Sequence, residues 1–276
     1  MKLLIFDLDG VITSEASYWD IARRGLQEIL GSDTGDPLPL DFIYWAKNHA
    51  INHNWDVAFV AVTGQTDLGG YKEAHDALTG RALLEACPGY RGEPWKQVHR
   101  VCQAIQDRSP LPDLGLHSAG ETVRLFEDLV GLGYDFAVAT GRPQAEAWAP
   151  LDALGIRRFF PTNRIITHLE VEQAERIAGI PLGKPHPFVA LRAIYPEMSP
   201  GQLLDLVHEP RPKVWFIGDT ASDIGAALAA GIIPIGILTA LPAGPYREQR
   251  RRTLAGLGCH TILDSVLDLP HAKLDP

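Results

Sequence analysis

The feature that most restricts the fold of this sequence is a set of uninterrupted apolar runs that stop at polar clusters. Leu3, Leu4, Ile5 and Phe6 lead into Asp7 and Asp9, with only Leu8 between the two aspartates and Gly10 after them. The run Tyr134 to Thr140 ends at Gly141 and Arg142, and Lys213 to Gly218 ends at Asp219, with Asp223 four residues on. Runs without polar alternation suit the central strands of a parallel sheet covered on both faces. Amphipathic segments separate them. In "SAGETVRLFEDLVGLG" the spacing sets Val123, Phe126, Leu129 and Val130 on one face of a helix, Ser118 and Glu121 form a capping box, and Gly131 or Gly133 ends it. Further helices are expected in "QAEAWAPLDALG", "HPFVALRAIY" and "SDIGAALAAG", and further strands in "NRIITH", "IPIGIL" and "HTILDS". Strands alternating with helices predict an α/β fold, a doubly wound parallel sheet.

Residues 15–113 break that rhythm. They read as helical, in "YWDIARRGLQEIL", "LDFIYWAKNHAINHNWDVAFVAV", "YKEAHDALTGRALLEAC" and "EPWKQVHRVCQAIQ". The expected organisation is therefore a catalytic core of residues 1–14 and 114–276 with an α-helical domain, 15–113, inserted after the first strand. The apolar fraction of 46% suffices for a large core without disulfides, and three dispersed cysteines, Cys87, Cys102 and Cys259, read as buried thiols in a reducing compartment. A net charge of −9 argues against a nucleic-acid partner, and the single basic run, Tyr246 to Arg252, reads as a solvated helix face. No apolar stretch approaches the ~20 residues of a membrane span, and Asp7 and Asp9 interrupt any signal-peptide pattern. The expectation is a cytoplasmic protein with no membrane partner.

In an open parallel sheet ligands bind beyond the carboxyl ends of the strands, so the three polar clusters should meet in one crevice. Lys184, in "GKPHP", stands just before a helix and can join them. Asp7, Asp9, Asp219 and Asp223 are too many carboxylates for one crevice unless a cation accompanies them. Their all-oxygen character favours Mg²⁺ over zinc. A carboxylate such as Asp7 can attack phosphorus to form an aspartyl-phosphate that water hydrolyses. Asp9 is placed to protonate the leaving oxygen and then activate water. Thr140 and backbone N–H groups can hold the phosphoryl oxygens and Lys184 can neutralise their charge. Gly10, Gly141 and Arg142 are the candidate substrate-binding residues. Arg142 has two readings, a substrate contact or a partner for a core carboxylate.

With "FDLDGVIT", "VATGR", "GKPHP" and "WFIGDTASDIGAALAAG" in this order, the chain resembles the haloacid dehalogenase superfamily over residues 1 to 14 and roughly 114 to 270. The resemblance implies a Rossmann-like core with a helical cap. It makes Asp7 the nucleophile and Asp9 the acid/base, with Mg²⁺ held by Asp7, the Asp9 main-chain carbonyl and Asp219, and Asp223 in support. The retained Asp9 argues against a dehalogenase or a phosphonate hydrolase. Ser14 stands where many relatives carry an acidic residue, and "EQAERIAGI" is an extra piece before Lys184. The expected activity is a Mg²⁺-dependent phosphatase acting on a small phosphorylated metabolite. The alternatives are a phosphomutase resembling β-phosphoglucomutase and a non-catalytic phosphometabolite-binding protein. In the inserted segment, Lys47, His49, Asn52, His53 and Asn54 crowd polar groups together, and His49 and His53 share a helix face at i and i+4. Surface or packing duty, substrate contact and metal binding are all open to them. A metal would want a carboxylate or a third histidine as well.

Overall fold

The computed structural model describes residues 2–31, 35–51, 53–64, 67–108, 115–206, 209–211 and 213–274. The chain forms two compact units, one of Met1–Ser14 with Asp113–Pro276, the other of Glu15–Pro112. Asn52 and most of the segment "SPLPDLGLH" that links the second unit back to the first lie outside the described residues.

The first unit opens with β1 (Leu3–Phe6). The second follows with α1 (Ala16–Leu30), α2 (Leu40–Asn48), α3 (Asn54–Thr63), α4 (Leu68–His75), α5 (Gly80–Ala86) and α6 (Glu93–Arg108). The first then resumes with α7 (Ala119–Gly131), β2 (Asp135–Ala139), α8 (Gln144–Ala153), β3 (Ile165–Ile166), α9 (His168–Ala178), α10 (Phe188–Ile194), α11 (Pro200–Leu204), β4 (Val214–Gly218), α12 (Ala221–Ala229), β5 (Ile233–Ile237), α13 (Pro245–Gly256) and β6 (Thr261–Leu263).

The six strands pair in parallel in the order β3-β2-β1-β4-β5-β6, so the sheet winds one way from β1 to β3 and the other way from β4 to β6. β1 is buried along its whole length and its side chains alternate between two cores. Leu4 and Phe6 join Phe126, Phe136 and Phe160 on one face, where Phe6 and Phe126 lie with ring centroids 5.2 Å apart. Leu3 and Ile5 join Phe188, Leu191 and Phe216 on the other. Each face thus satisfies the continuous apolar pattern of the strands.

The helix before β2 carries the capping box expected from Ser118 and Glu121. Its buried face is Thr122, Leu125, Phe126 and Leu129, and Val130 is half exposed. Leu125 takes the core position that the spacing had given to Val130. The piece before Lys184 is part of an ordered element: α9 starts at its own capping box, Thr167 with Glu170, and ends at Gly179 in the left-handed region.

The helical unit packs α1, α3 and α6 around Tyr18, Trp19, Trp55, Phe59 and Cys102. The long segment from Leu40 to Val62 is two helices rather than one. α2 stops at Asn48, and Ala50 adopts a positive φ of 60° at the break. His49 therefore ends one helix while His53 caps the next, and the two share no face. The His49 ring nitrogens lie 2.7 Å from the Trp45 carbonyl oxygen and 3.1 Å from that of Asp76. Lys47 is buried in an ion pair with Glu15 at 2.6 Å. Among the described residues, no helix is long and apolar enough to cross a membrane.

Candidate active site

The sheet order reverses between β1 and β4, and the crevice beyond their carboxyl ends is where a fold of this kind binds ligands. Phe6 pairs with Val138 of β2 and Ile217 of β4, so the three strands end nearly level. Asp7 follows directly, its N–H donating to Ile217 O at 2.9 Å. Asp219 follows β4, and Thr140 follows β2 with its N–H on Ile166 O. The polar clusters converge because the register of the strands brings them level.

Carboxylate oxygens of Asp7, Asp219 and Asp223 all lie within 4.8 Å of one another. Two glycines allow this crowding. A Cβ on Gly10 would sit 2.4 Å from Asp219 Oδ2, and Gly10 has a φ of +77° that favours glycine in any case. A Cβ on Gly218 would sit 2.3 Å from the Asp223 Cβ. Gly10 is thus a packing position beneath Asp219.

Lys184 closes the cluster. Its Nζ donates to Asp223 Oδ1 at 2.7 Å and lies 3.0 Å from Asp7 Oδ1, and it also donates to Ala139 O. Asp223, fully buried, is the N3 residue of a capping box: its Oδ2 accepts from Thr220 N–H at 3.0 Å and Thr220 Oγ1 at 2.6 Å. Both Asp223 oxygens are thereby engaged. Asp7 and Asp219 remain as the side chains of this trio that fit a hard cation, with Asp223 supporting Lys184 behind them. The all-oxygen donor set matches Mg²⁺.

The titration of the group follows from burial. Burial pushes Asp7 well above the ordinary carboxylate range; Lys184 opposes this, and Asp223, Asp9 and Asp219 add to it. Burial also acts to raise Asp223, but the Lys184 charge and the hydrogen bonds from Lys184 and Thr220 outweigh it and hold Asp223 low. Burial acts to lower Lys184, and the two carboxylates reverse that and raise it. The lysine charge is thus shared unequally, with Asp223 its firm partner and Asp7 the more easily protonated member.

Asp9 stands outside this trio. Its carboxylate is gripped by Arg142, with Nη2 to Oδ1 at 2.6 Å and Nε to Oδ2 at 3.0 Å, and Thr13 Oγ1 donates to Oδ1 at 3.1 Å. The structure thus pairs Arg142 with a carboxylate of the site. Thr140 is buried and its hydroxyl accepts from Arg142 N–H at 3.2 Å; nothing stands within 4 Å of where a Cβ on Gly141 would be.

Sequence reasoning missed Arg250. The basic run on α13 is not wholly a solvated face: Arg250 is buried, donates through Nη1 to the Asp219 carbonyl oxygen at 2.5 Å, and lies 3.5 Å from Asp219 Oδ2. The only signal in the sequence was its position four residues before Leu254, the other buried residue of that helix. The chain itself therefore supplies most of the compensation for the four carboxylates. Lys184, Arg142 and Arg250 supply three positive charges from the chain itself.

His53, Asp56 and His99 meet in the helical unit with ligand-type atoms within 4.8 Å. Asp56 and His99 are hydrogen-bonded to each other, and His53 bonds to a backbone N–H. Asp56 Oδ1 lies 2.7 Å from Trp95 Nε1 and 2.9 Å from His99 Nε2, and His53 Nδ1 accepts from Trp55 N–H. This network ties α3 to α6.

The model of the haloacid dehalogenase-like hydrolases matches residues 1–231, and the chain belongs to that family. No curated protein matches its sequence. Among solved structures, a phosphoglycolate phosphatase candidate from Lactobacillus delbrueckii subsp. bulgaricus superposes with a TM-score of 0.64 at 18% identity, over 98% of this chain and 97% of that one. A haloacid dehalogenase family hydrolase from Deinococcus radiodurans, solved with bound phosphate and sodium, gives 0.53 at 20% identity, over 98% and 93%. A β-phosphoglucomutase candidate from Thermotoga maritima gives 0.50 at 19%, over 98% and 97%. At these identities the likeness is one of fold.

Proposed function

We propose that the protein is a Mg²⁺-dependent phosphatase that hydrolyses a small phosphorylated metabolite through an aspartyl-phosphate on Asp7. The observation that carries this reading is the buried cluster of Asp7, Asp219, Asp223 and Lys184 at the point where the sheet order reverses. The phosphate bound to the Deinococcus radiodurans relative supports it. Asp7, the Asp9 main-chain carbonyl and Asp219 would hold the metal, which supplies electrostatic stabilisation of the phosphoryl group.

In the first step an Asp7 oxygen bonds to phosphorus, the bond from phosphorus to the ester oxygen breaks, and Asp9 gives its proton to the leaving alcohol. In the second, water attacks the same phosphorus, Asp9 takes the water's proton, and the bond to Asp7 breaks to return its carboxylate and release phosphate. The Thr140 hydroxyl and the N–H of Gly141 hold the phosphoryl oxygens, while the Gly10 N–H is committed to Thr13 O. Lys184 balances the charge on Asp7. Glu15–Pro112 serves as the cap that selects the alcohol part of the substrate.

The test is a turnover screen of phosphorylated metabolites with Mg²⁺, run beside Asp7→Asn. Phosphate release by the wild type and none by the variant is expected, because an amide cannot form the acyl phosphate. Phosphate release retained in Asp7→Asn overturns the covalent route. Isomer formation that requires a bisphosphate activator would replace the phosphatase with a mutase.

A further inference from the structure

We propose that Arg142 is a latch on Asp9, and that Asp9 must leave it once in every catalytic cycle to meet the ester oxygen. The inference rests on the phosphatase reading above and adds a positioning residue to it.

The observation is the completeness of the grip. Arg142 Nη2 and Nε reach Oδ1 at 2.6 and 3.2 Å, and Nε reaches Oδ2 at 3.0 Å. Thr13 Oγ1 donates to Oδ1 and also accepts from Arg142 Nη2 at 3.1 Å. The guanidinium is itself fixed, since Nη1 donates to Glu146 O at 3.0 Å, its own N–H is held by Thr140 Oγ1, and the side chain is buried. A guanidinium offers donors only. Both oxygens of Asp9 are turned into that fork, so the carboxyl group has to swing out of the two-point grip to bring an oxygen to the leaving alcohol.

The backbone around Asp9 leaves one way out. The N–H groups of Ile12 and Thr13 both donate to Leu8 O at 2.8 Å, and Gly10 N–H donates to Thr13 O at 2.9 Å. The turn is therefore closed, and Asp9 changes partner by rotating its side chain. The side chain keeps partial exposure, 22%, while Arg142 keeps 8%, so the acid moves and the base stays.

Esters report this separately from the rest of the chemistry. p-Nitrophenyl phosphate releases an anion that needs no proton, so the step that forms its aspartyl-phosphate depends on Asp7 and the phosphoryl contacts. Glycerol 2-phosphate releases an alkoxide that must be protonated, so the same step there also depends on Asp9. Hydrolysis of the aspartyl-phosphate is common to both esters and does not enter kcat/KM. The experiment measures kcat/KM and KM for both esters in the wild type, Arg142→Gln and Arg142→Lys. The ratio of the two kcat/KM values from one preparation does not change with the fraction of folded enzyme. Release from a charge-assisted two-point contact is expected to raise the alkyl-to-aryl kcat/KM ratio about tenfold in Arg142→Gln. Arg142→Lys, a single-point partner, is expected to raise it by less, and it carries the test if the glutamine variant does not fold. An unchanged ratio, with or without higher KM values for both esters, overturns the latch in favour of a structural or substrate-binding arginine. A lower ratio also overturns it, because Arg142 would then be aligning Asp9 for catalysis. Failure of the wild type to release phosphate from either ester, or from any ester of the metabolite screen, overturns the phosphatase reading and the latch with it.

Discussion

Lys184→Met tests the electrostatic account of the site most directly. The methionine fills much of the lysine's volume and removes the charge that lies 3.0 Å from Asp7 and 2.7 Å from Asp223. Asp223 has no exposed surface, and its other oxygen is committed to Thr220. Breaking a buried pair by removing one partner costs about 3–5 kcal/mol, most of it from the charge left behind. At about 2–4 °C per kcal/mol for a unit of this size, the first unit should melt roughly 6–20 °C lower. Thermal unfolding in chelator at pH 7, followed by calorimetry, reads the difference. The pH dependence has a definite sign. Asp7 binds its proton more tightly folded than unfolded, and losing Lys184 strengthens that bias. The deficit of the variant should therefore shrink as the pH falls and Asp7 takes up its proton. Adding Asp223→Asn should recover a large part of the loss. A deficit below about 1 kcal/mol, the range of exposed ion pairs, would show that the carboxylates remain well solvated and would refute the argument from burial.

Gly10→Ala should shift Asp219, because its Cβ would fall 2.4 Å from Oδ2 and its φ of +77° costs an alanine about 1–2 kcal/mol; Mg²⁺ titration by calorimetry should show binding lost or weakened relative to the wild type. Arg250→Met should destabilise the protein by about 1–3 kcal/mol by leaving the buried Asp219 carbonyl without its donor, whereas a solvated helix face would give a change within about 0.5 kcal/mol in a urea melt. Asp56→Asn should destabilise the helical unit by about 1.5–3 kcal/mol at pH 7. Burial acts to raise Asp56, but the His99 and Trp95 hydrogen bonds and the His53 charge hold it low, so the advantage of the wild type is present above the unfolded carboxylate value, near pH 4, and fades as the pH falls through the lower folded value. Urea midpoints of both proteins at pH 7 and pH 3.5 check this.

The sheet was legible because its strands are covered on both faces, and such strands must be written as continuous apolar runs. β1, β2 and β4 needed no other information, and the convergence of Asp7, Thr140 and Asp219 followed from parallel strands ending level. Capping boxes were legible too, since Ser118 and Glu121 interact across three residues. What was not legible depends on contacts far apart in sequence. Arg142 and Asp9 are 133 positions apart, and Arg250 and Asp219 are 31 apart, so no local pattern announces either pair. The break at Ala50 was hidden for another reason. The segment around it lacks proline or glycine, so helix propensity runs through it, and His53 takes up a capping role that its residue type does not advertise.

The pairing of charges alters what a metal has to do in this fold. Four aspartates counted alone demand a cation, which is how the sequence reads. Three basic side chains, each in contact with at least one of those aspartates, leave a formal excess of a single negative charge. An excess that small does not require an ion to hold the strands together, so the carboxylates can be assembled in advance of metal and substrate. Preassembly has a chemical consequence. Asp7, Asp219, Asp223 and Lys184, fixed before the proposed reaction, need no reorganisation during it, and electrostatic stabilisation is strongest under that condition. The unequal sharing of Lys184 serves the same end. Asp223 anchors the lysine from behind, through a carboxylate held low and locked to Thr220. Asp7 takes the weaker share, and in the proposed mechanism a nucleophile less tightly held by its cation keeps more of its charge for phosphorus.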